Sequence, residues 1–266
     1  MARPLRASLA AAVPLALAVA VLAAVNLLPP DTAVEEIDAA GRLTVCAPPD
    51  LQPLVARGPA RPGFEIALVD EAARRSGWRV SVTTNAAMTR EFNPANWRIS
   101  RATCRLIVGG LRDNDRSRSL MEMGAPYLRS GWVWLAPPGE TWPPATVAFT
   151  PGSVAMDRVG LGTYLRGEGV RVVPLQSAAA LPRVLKEGTA SIVITDALTA
   201  GFLLDGTGLA ATPLPGGPAP EGLAFGFWKG DTTLRRRMDD VLAQMVADGT
   251  VDRIANDYGV ADYLVR

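Results

Sequence analysis

The stretch GFEIALVDEAARRSGWRVSV, residues 63–82, decides the fold class because it joins a helical pattern to a strand pattern. Its first half carries apolar residues at helical spacing: Ile66, Val69 and Ala73. Gly77 ends the helix, and residues 78–82 then alternate between apolar and polar side chains, as strands do. A β-rich run at 43–46 precedes the stretch, so the order strand, loop, helix, strand predicts a parallel sheet.

A second unit of the same kind lies further along the chain. Thr146–Phe149 has a strand pattern, Val154–Leu165 a helical pattern and Val170–Pro174 a strand pattern again. Further strand patterns occur at 106–110, 131–135, 191–195 and 223–228. Pro-rich breaks at 137–144 separate the two units, which indicates two α/β lobes with a cleft between them. The chain is predicted to end in two helices, the first with an apolar stripe.

The N-terminus has the features of a targeting segment. Arg3 and Arg6 precede an uncharged run, Ala7–Leu28, and Pro29 and Pro30 end it. Positive charge before an apolar helix keeps that end in the cytoplasm and sends the following chain outward. The run would span roughly 33 Å as a helix, enough to cross a bilayer core. Residues 1–30 are therefore expected to be either a cleaved signal peptide or a membrane anchor, followed by a linker over 31–40.

Composition excludes several classes of chemistry. The 266 residues include no histidine and only two cysteines, and the formal net charge is +1. Neither a Cys/His zinc site nor a Ser-His-Asp or Cys-His mechanism can be built from this set. The balanced charge gives no reason to expect nucleic acid as a partner. In an oxidising compartment Cys46 and Cys104 are expected to form one disulfide, with two buried free thiols as the alternative.

Six stretches in this order resemble the family 3 periplasmic solute-binding proteins, the amino-acid and polar-solute receptors of ABC importers. They are GRLTVCAPPDLQPL, GFEIALVDEAARRSGWRVSV, GGLRDNDRSRSLMEMGAPYL, VAFTPGSVAMDRVGLGTYL, LPRVLKEGTASIVITDALTAGFLL and LRRRMDDVLAQMVADGTVDRIANDYG. The resemblance runs from about Gly41 to Tyr258. It implies a two-lobed type II periplasmic-binding-protein fold of class α/β, in which each lobe is a mainly parallel sheet with flanking helices and a two-strand hinge joins the lobes. Lobe 1 would hold residues 41–135 and 224–266, and lobe 2 would hold 139–221.

An amino-acid solute presents a carboxylate and an ammonium, and the family meets both in the cleft. For the carboxylate it implies an arginine after the third strand and a Gly-Ser turn in lobe 2, which here is Gly152, Ser153 and Val154. For the ammonium it implies an aspartate after a lobe 2 strand, which is Asp196. The alternatives from the sequence itself are an ordinary strand-to-helix turn and a helix N-cap.

The position of the arginine is open. Counting from Gly110, itself a candidate for solute binding, the family spacing falls on Ser117. Arg116 matches with a shift of one residue, Arg112 lies nearer the strand end, and Arg118 is a third possibility. Each could equally be a solvated surface charge. Asp50 occupies the family's acidic cleft loop, or only shapes a Pro-Pro-Asp turn.

The chain departs from the family pattern at four positions. Leu51 and Leu54 stand where stacking aromatic rings are common, and Arg105 and Ser191 replace structural aspartates. These departures count against a standard α-amino-acid site and leave an unusual solute open as an alternative.

The expected function is the capture of a small polar solute, an amino acid or related compound, for the membrane subunits of an ABC transporter. We expect a monomeric, non-enzymatic protein without cofactor or metal, which contacts the membrane only through its N-terminal segment. One rival is an accessory protein of a periplasmic quinoprotein alcohol dehydrogenase, a branch of the fold with cysteines at the positions of Cys46 and Cys104. A second rival is a dehydratase that uses a cleft carboxylate.

Overall fold

The computed structural model describes residues 13–14, 16–20, 30–56, 58, 61–90, 94–150, 157–175, 180–204 and 207–265. Residues 13–14 and 16–20 are helical. No helix within these ranges is long and apolar enough to span a membrane. Most of the expected signal peptide or anchor, residues 1–30, lies outside them.

Lobe 1 is built on a five-stranded sheet of order β2-β1-β3-β12-β4. Its strands are β1 (Arg42–Ala47), β2 (Arg79–Thr84), β3 (Leu106–Ile107), β4 (Glu122–Met123) and β12 (Gly226–Phe227). β12 runs antiparallel to its neighbours, whereas β1, β2 and β3 are parallel. Its helices are α1 (Ala33–Ala40), α2 (Phe64–Arg75), α3 (Ala87–Arg90), α4 (Asp115–Leu120), α8 (Thr232–Ala247) and α9 (Thr250–Asp257). The apolar positions that predicted α2 are all buried in this lobe's core.

Lobe 2 is built on a second five-stranded sheet of order β10-β6-β9-β7-β8. Its strands are β6 (Trp132–Ala136), β7 (Thr146–Phe149), β8 (Arg171–Pro174), β9 (Ile192–Asp196) and β10 (Ala210–Pro213). β7, β8 and β9 are parallel, and β6 runs antiparallel to both of its neighbours. The flanking helices are α5 (Arg158–Gly167), α6 (Leu181–Lys186) and α7 (Ala197–Leu203). Both sheets are thus mainly parallel, which confirms the expected fold class.

The chain crosses between the sheets twice, and the two crossings pair with each other. β5 (Leu128–Ser130) leads out of lobe 1 and β11 (Glu221–Leu223) leads back into it. They form a two-stranded antiparallel sheet in which Glu221 lies opposite Ser130. This pair is the two-strand hinge.

Three sequence expectations need correction. The segment 31–40, expected to be a linker, contains helix α1, because Ala33 and Ile37 lie one helical turn apart and are both buried in the lobe 1 core. The strand expected at 131–135 was assigned to lobe 1, but β6 pairs with β9 and β10 in the second sheet. The strand expected at 223–228 is divided between the hinge and the lobe 1 sheet.

Cys46 and Cys104 form the expected disulfide, with 5.5 Å between their Cα atoms. Both residues are fully buried, among the apolar side chains of Met88, Trp97 and Ile107. The bond joins β1 to the segment that enters β3, so it fixes the strands whose carboxyl ends carry the lobe 1 site residues.

Candidate functional site

The turn after β3 is stabilised by hydrogen bonds to a buried carboxylate. Gly109 and Gly110 adopt positive φ angles of 124° and 65°, a conformation that favours glycine. Their N–H groups donate to Glu65 at 2.6 Å and 2.9 Å, and the Tyr127 hydroxyl donates to the same carboxylate. Burial raises the pKa of Glu65 above its usual range, although these hydrogen bonds act to lower it. The amide of Gly110, a predicted solute contact, is therefore already engaged by Glu65.

Arg112 is the buried arginine of this region. Its side chain is 1% exposed, and its Nη2 forms an ion pair with Glu221 of the hinge strand β11. Its Nε and Nη1 are also buried and have no hydrogen-bond partner among the described residues. Burial lowers the pKa of Arg112 to about 10, while the charges of Asp157 and Asp196 act to raise it. At neutral pH the guanidinium therefore stays charged. Its N–H groups at Nε and Nη1 are hydrogen-bond donors in a region shielded from water.

The backbone around Arg112 explains why this side chain turns inward. Arg112 forms an isolated β-bridge with Leu223 of β11. The flanking bonds run from the Asp113 amide to the Gly222 carbonyl and from the Ala224 amide to the Leu111 carbonyl, both at 2.9 Å. The segment after β3 is thus hydrogen-bonded to hinge strand β11, which places Arg112 against Glu221.

Arg116 and Arg118 lie instead on the exposed side of α4. Asn114 caps this helix by accepting a hydrogen bond from the Ser117 amide at 3.0 Å, so Ser117, where the family spacing would place the arginine, lies in the first turn of α4. Ser117 points inward and is 6% exposed. Arg118 pairs with Asp113 at 2.6 Å. Of the three candidate arginines, the structure buries Arg112 alone.

Asp196 ends β9 and caps helix α7. Its Oδ1 accepts from the amides of Leu198 and Thr199 at 3.1 Å and 3.2 Å and from the Ser130 hydroxyl at 3.2 Å. Its Oδ2 accepts from the Thr199 hydroxyl at 2.6 Å. The carboxylate is fully buried, so the N-cap alternative is realised, with a buried negative charge at the carboxyl end of a lobe 2 strand.

The hinge brings the two predicted charges together from opposite lobes. Arg112 pairs with Glu221, Glu221 lies opposite Ser130 in the hinge ladder, and Ser130 donates to Asp196. Arg112 and Asp196 are thus linked through two short strands. A solute with a carboxylate and an ammonium could meet a partner for each group at this place.

Two further side chains stand on the lobe 2 side of this region, and sequence patterns did not single them out. Arg158, the first residue of α5, lies 5.6 Å from the ring centre of Phe149, and burial lowers its pKa while the charge of Asp196 acts to raise it. Trp132 lies opposite Asp196 in the strand ladder, and its indole N–H is buried without a partner among the described residues. The available sequence signals were the predicted strand at 131–135, which contains Trp132, and the predicted helix Val154–Leu165, which contains Arg158.

The remaining predicted residues contribute less to the described site. Gly152, Ser153 and Val154 lie outside the described residues. Asp50 follows β1 in a loop and is exposed. Within the described ranges no group of three or more acidic, cysteine or histidine side chains could hold a metal ion.

A comparison with protein-family models gives one match, over residues 43–261, to the bacterial extracellular solute-binding proteins, family 3. The chain belongs to this family. It is therefore an extracellular solute-binding protein, in agreement with its two-lobed fold and hinge. Among curated proteins none matches the chain.

Solved structures with the same fold are distant in sequence. An ancestral cationic amino acid solute-binding protein is 18% identical, with a TM-score of 0.68, and the match covers 85% of this chain and 98% of that one. A substrate-binding protein of an ABC uptake transporter from Streptococcus pneumoniae, solved with bound histidine, is 16% identical, with a TM-score of 0.68 and coverage of 89% and 99%. An ancestral amino acid-binding protein described as a precursor of cyclohexadienyl dehydratase is 17% identical, with a TM-score of 0.64 and coverage of 85% and 98%. At these identities the similarity establishes the fold.

Proposed function

We propose that this solute-binding protein captures an amino acid or a related small polar solute between its lobes and delivers it to the membrane subunits of an ABC transporter. The observation that carries the proposal is Arg112, a guanidinium buried at the hinge with Nε and Nη1 unpartnered among the described residues. Buried donors of this kind are costly unless a ligand satisfies them. A solute carboxylate is the chemical group that satisfies a guanidinium best.

Asp196 is proposed to face the solute's ammonium, and the turn at Gly152, Ser153 and Val154 to donate to its carboxylate. Asp196 supports this role through its complete burial and its link to Arg112 across the hinge. Its four protein hydrogen bonds fix the carboxylate in place, as a binding group requires. We propose that Asp196 acts as a fixed negative charge in binding and not as a catalytic base.

Thermal unfolding of the purified protein against amino acids, polyamines, organic acids and short alcohols tests this function. A solute at a hundredfold excess over its Kd adds about 2.7 kcal/mol to the free energy of unfolding. Arg112→Gln is expected to reduce the affinity for that solute by at least about tenfold, whereas Arg116→Ala, which removes an exposed arginine close by, leaves it within about twofold. Equal effects of the two substitutions would remove Arg112 from the site.

The absence of a shift with every solute would instead favour the accessory-protein alternative. The observation on its side is the Cys46–Cys104 disulfide, because that branch of the fold is similar to this chain in having cysteines at these two positions. Co-purification with a periplasmic quinoprotein dehydrogenase, dependent on neither Arg112 nor Asp196, would then replace the importer proposal.

The N-terminal segment is proposed to export the chain and either to be cleaved or to remain as an inner-membrane anchor over residues 7–28. The mass of the protein recovered from its membrane and periplasmic fractions distinguishes these outcomes. We also propose that the solute-binding part is monomeric, which sedimentation at working concentration tests.

A further inference from the structure

Glu221 is the hinge residue that forms an ion pair with the binding arginine. It begins β11, lies opposite Ser130 of β5, and pairs with Nη2 of Arg112. Its side chain is 27% exposed while that of Arg112 is 1% exposed, so the acidic partner is the more accessible of the two. Asn114, the cap of α4, lies 3.4 Å from the other carboxylate oxygen.

This pair changes what an incoming solute meets. A guanidinium offers five N–H donors, and Glu221 engages one end of the fork. Nε and Nη1 remain for a solute, but the positive charge behind them is already compensated by Glu221. A first carboxylate therefore finds hydrogen-bond donors without a net positive charge, and a second carboxylate finds the negative charge of Glu221 itself.

The other described charges of the region point the same way. Asp157 and Asp196 are both close enough to act on the charge of Arg112. Arg158, half-buried at the start of α5, is the cation that balances one of them. Two cations thus stand against three anions, Glu221 included. Such a surplus favours a solute whose own net charge is zero or positive.

We propose that Glu221 is the specificity-determining residue of the cleft, which admits zwitterionic and cationic solutes and rejects solutes with a second carboxylate. The inference rests on the proposed function and deepens it. Arg112 supplies the hydrogen bonds to one carboxylate, and Glu221 sets the charge that the rest of the solute can carry.

Replacement of the hinge carboxylate by its neutral isostere tests this role. Calorimetric titration compares L-arginine, L-glutamine and L-glutamate on the wild type, Glu221→Gln and Glu122→Gln. Glu122 is the matched control, because its side chain is 34% exposed and its carboxylate lies 3.9 Å from Lys229, away from the hinge. Glu221→Gln is expected to raise the affinity for glutamate relative to arginine by about tenfold, since it removes one like charge, and Glu122→Gln is expected to leave that ratio unchanged.

A second arm does not depend on the natural solute. The melting temperature is measured in sodium succinate and in sodium chloride of equal ionic strength. Glu221→Gln removes the ion-pair partner of the buried Arg112, so succinate should stabilise this variant more than it stabilises the wild type or Glu122→Gln. The gain should disappear in the double variant Arg112→Gln/Glu221→Gln, which keeps the loss of Glu221 but removes the cation.

The outcomes separate the two proposals. An unchanged glutamate-to-arginine ratio in Glu221→Gln, or a wild type that binds glutamate more tightly than glutamine, overturns the specificity role and leaves the receptor function standing. A wild type that binds none of the three amino acids removes arginine, glutamine and glutamate as solutes, while the succinate arm still decides whether Glu221 compensates Arg112. A succinate gain that persists without Arg112 overturns the pairing itself.

Discussion

The two lobes carry similar sheets, but the cores formed by their described residues differ in extent. In lobe 1 one continuous cluster joins α1, α2, α8 and α9 to the sheet, and a second cluster surrounds the disulfide. In lobe 2 the described apolar residues form two smaller clusters, one on each face of the sheet. Because burial of apolar area is the main source of stability, lobe 1 is expected to be the more stable lobe and lobe 2 is expected to unfold locally first.

The same contrast holds for the proposed solute-binding residues of the two lobes. In lobe 1 the Gly109–Gly110 turn is held by Glu65, a residue far away in sequence. In lobe 2 Asp196 is held mainly by the first turn of the helix that follows it. A substitution in the first network should therefore disturb the whole lobe, whereas one in the second should disturb a single helix end.

Removal of the disulfide should weaken the more stable lobe most. The bond closes a loop of 58 residues, for which chain entropy gives about 4 kcal/mol. We expect Cys46→Ala/Cys104→Ala to lower the free energy of unfolding in urea by that order, with amide exchange accelerated across β1 and β3. Reductant should destabilise the wild type and leave the double variant unchanged. An unaltered urea midpoint would show that the lobe 1 core is sufficient without the crosslink.

Neutralisation of the buried carboxylate beneath the turn should have the next largest effect. Glu65→Gln places an amide NH₂ against donors that now face carboxylate oxygens, which should cost about 1–3 kcal/mol. The control is Glu140→Gln, on an exposed loop, expected within about 0.5 kcal/mol of the wild type. The pKa of Glu65 is raised in the fold, so its ionisation costs stability as pH rises through that pKa. This decline should be absent in Glu65→Gln, and its persistence would mean that another buried acid causes it.

Sequence patterns could predict helices and strands, which depend on neighbouring residues. They could not predict contacts between residues far apart in the sequence. The spacing of Ile66, Val69 and Ala73 predicted α2 because helix periodicity is contained within the segment. Arg112 follows Leu111 and Arg116 follows Asp115, a local difference too small to decide between them, and what separates them is the ion pair of Arg112 with Glu221, more than a hundred residues away. The strand expected at 223–228 is divided for a related reason, since its first part pairs with β5 in the hinge and its second part with β3 and β4. Helix α1 was missed because only two of its residues, Ala33 and Ile37, are buried.

The lobe 2 site offers a way to separate a structural role from a binding role. Asparagine caps helices about as well as aspartate, and its side-chain oxygen can still accept from the amides of Leu198 and Thr199. Asp196→Asn should therefore cost less than about 1 kcal/mol in urea unfolding while it weakens binding of a cationic or zwitterionic solute by about tenfold. Asp196→Ala removes both roles and should cost about 1–2 kcal/mol. Retention of full affinity by Asp196→Asn would make Asp196 a helix cap only.

The smallest effect is expected for a group of surface ion pairs in lobe 1. Its contribution to stability increases with pH, whereas that of Glu65 decreases. Arg75 bridges Glu71 at 2.8 Å and Asp248 at 2.6 Å, and so ties α2 to the turn before α9. Hydrogen bonds from Arg74 and Arg75 lower the pKa of Glu71 to about 2, below its ordinary 4.5. The stabilisation from Glu71 is present above pH 4.5 and is lost as pH falls toward 2.

Since the pairs are partly solvated, Glu71→Gln should cost under about 1 kcal/mol at pH 7 and nothing measurable at pH 2. Urea unfolding of the wild type and the variant at a series of pH values gives both numbers. Arg183 and Glu187 form an exposed pair of the same spacing in lobe 2, 3.3 Å apart, so Glu187→Gln is the control and should cost less at every pH. An equal cost for the two variants at pH 7 would mean that the tie between α2 and α9 adds nothing beyond an isolated helical pair. The stability of lobe 1 would then rest on its apolar core and disulfide.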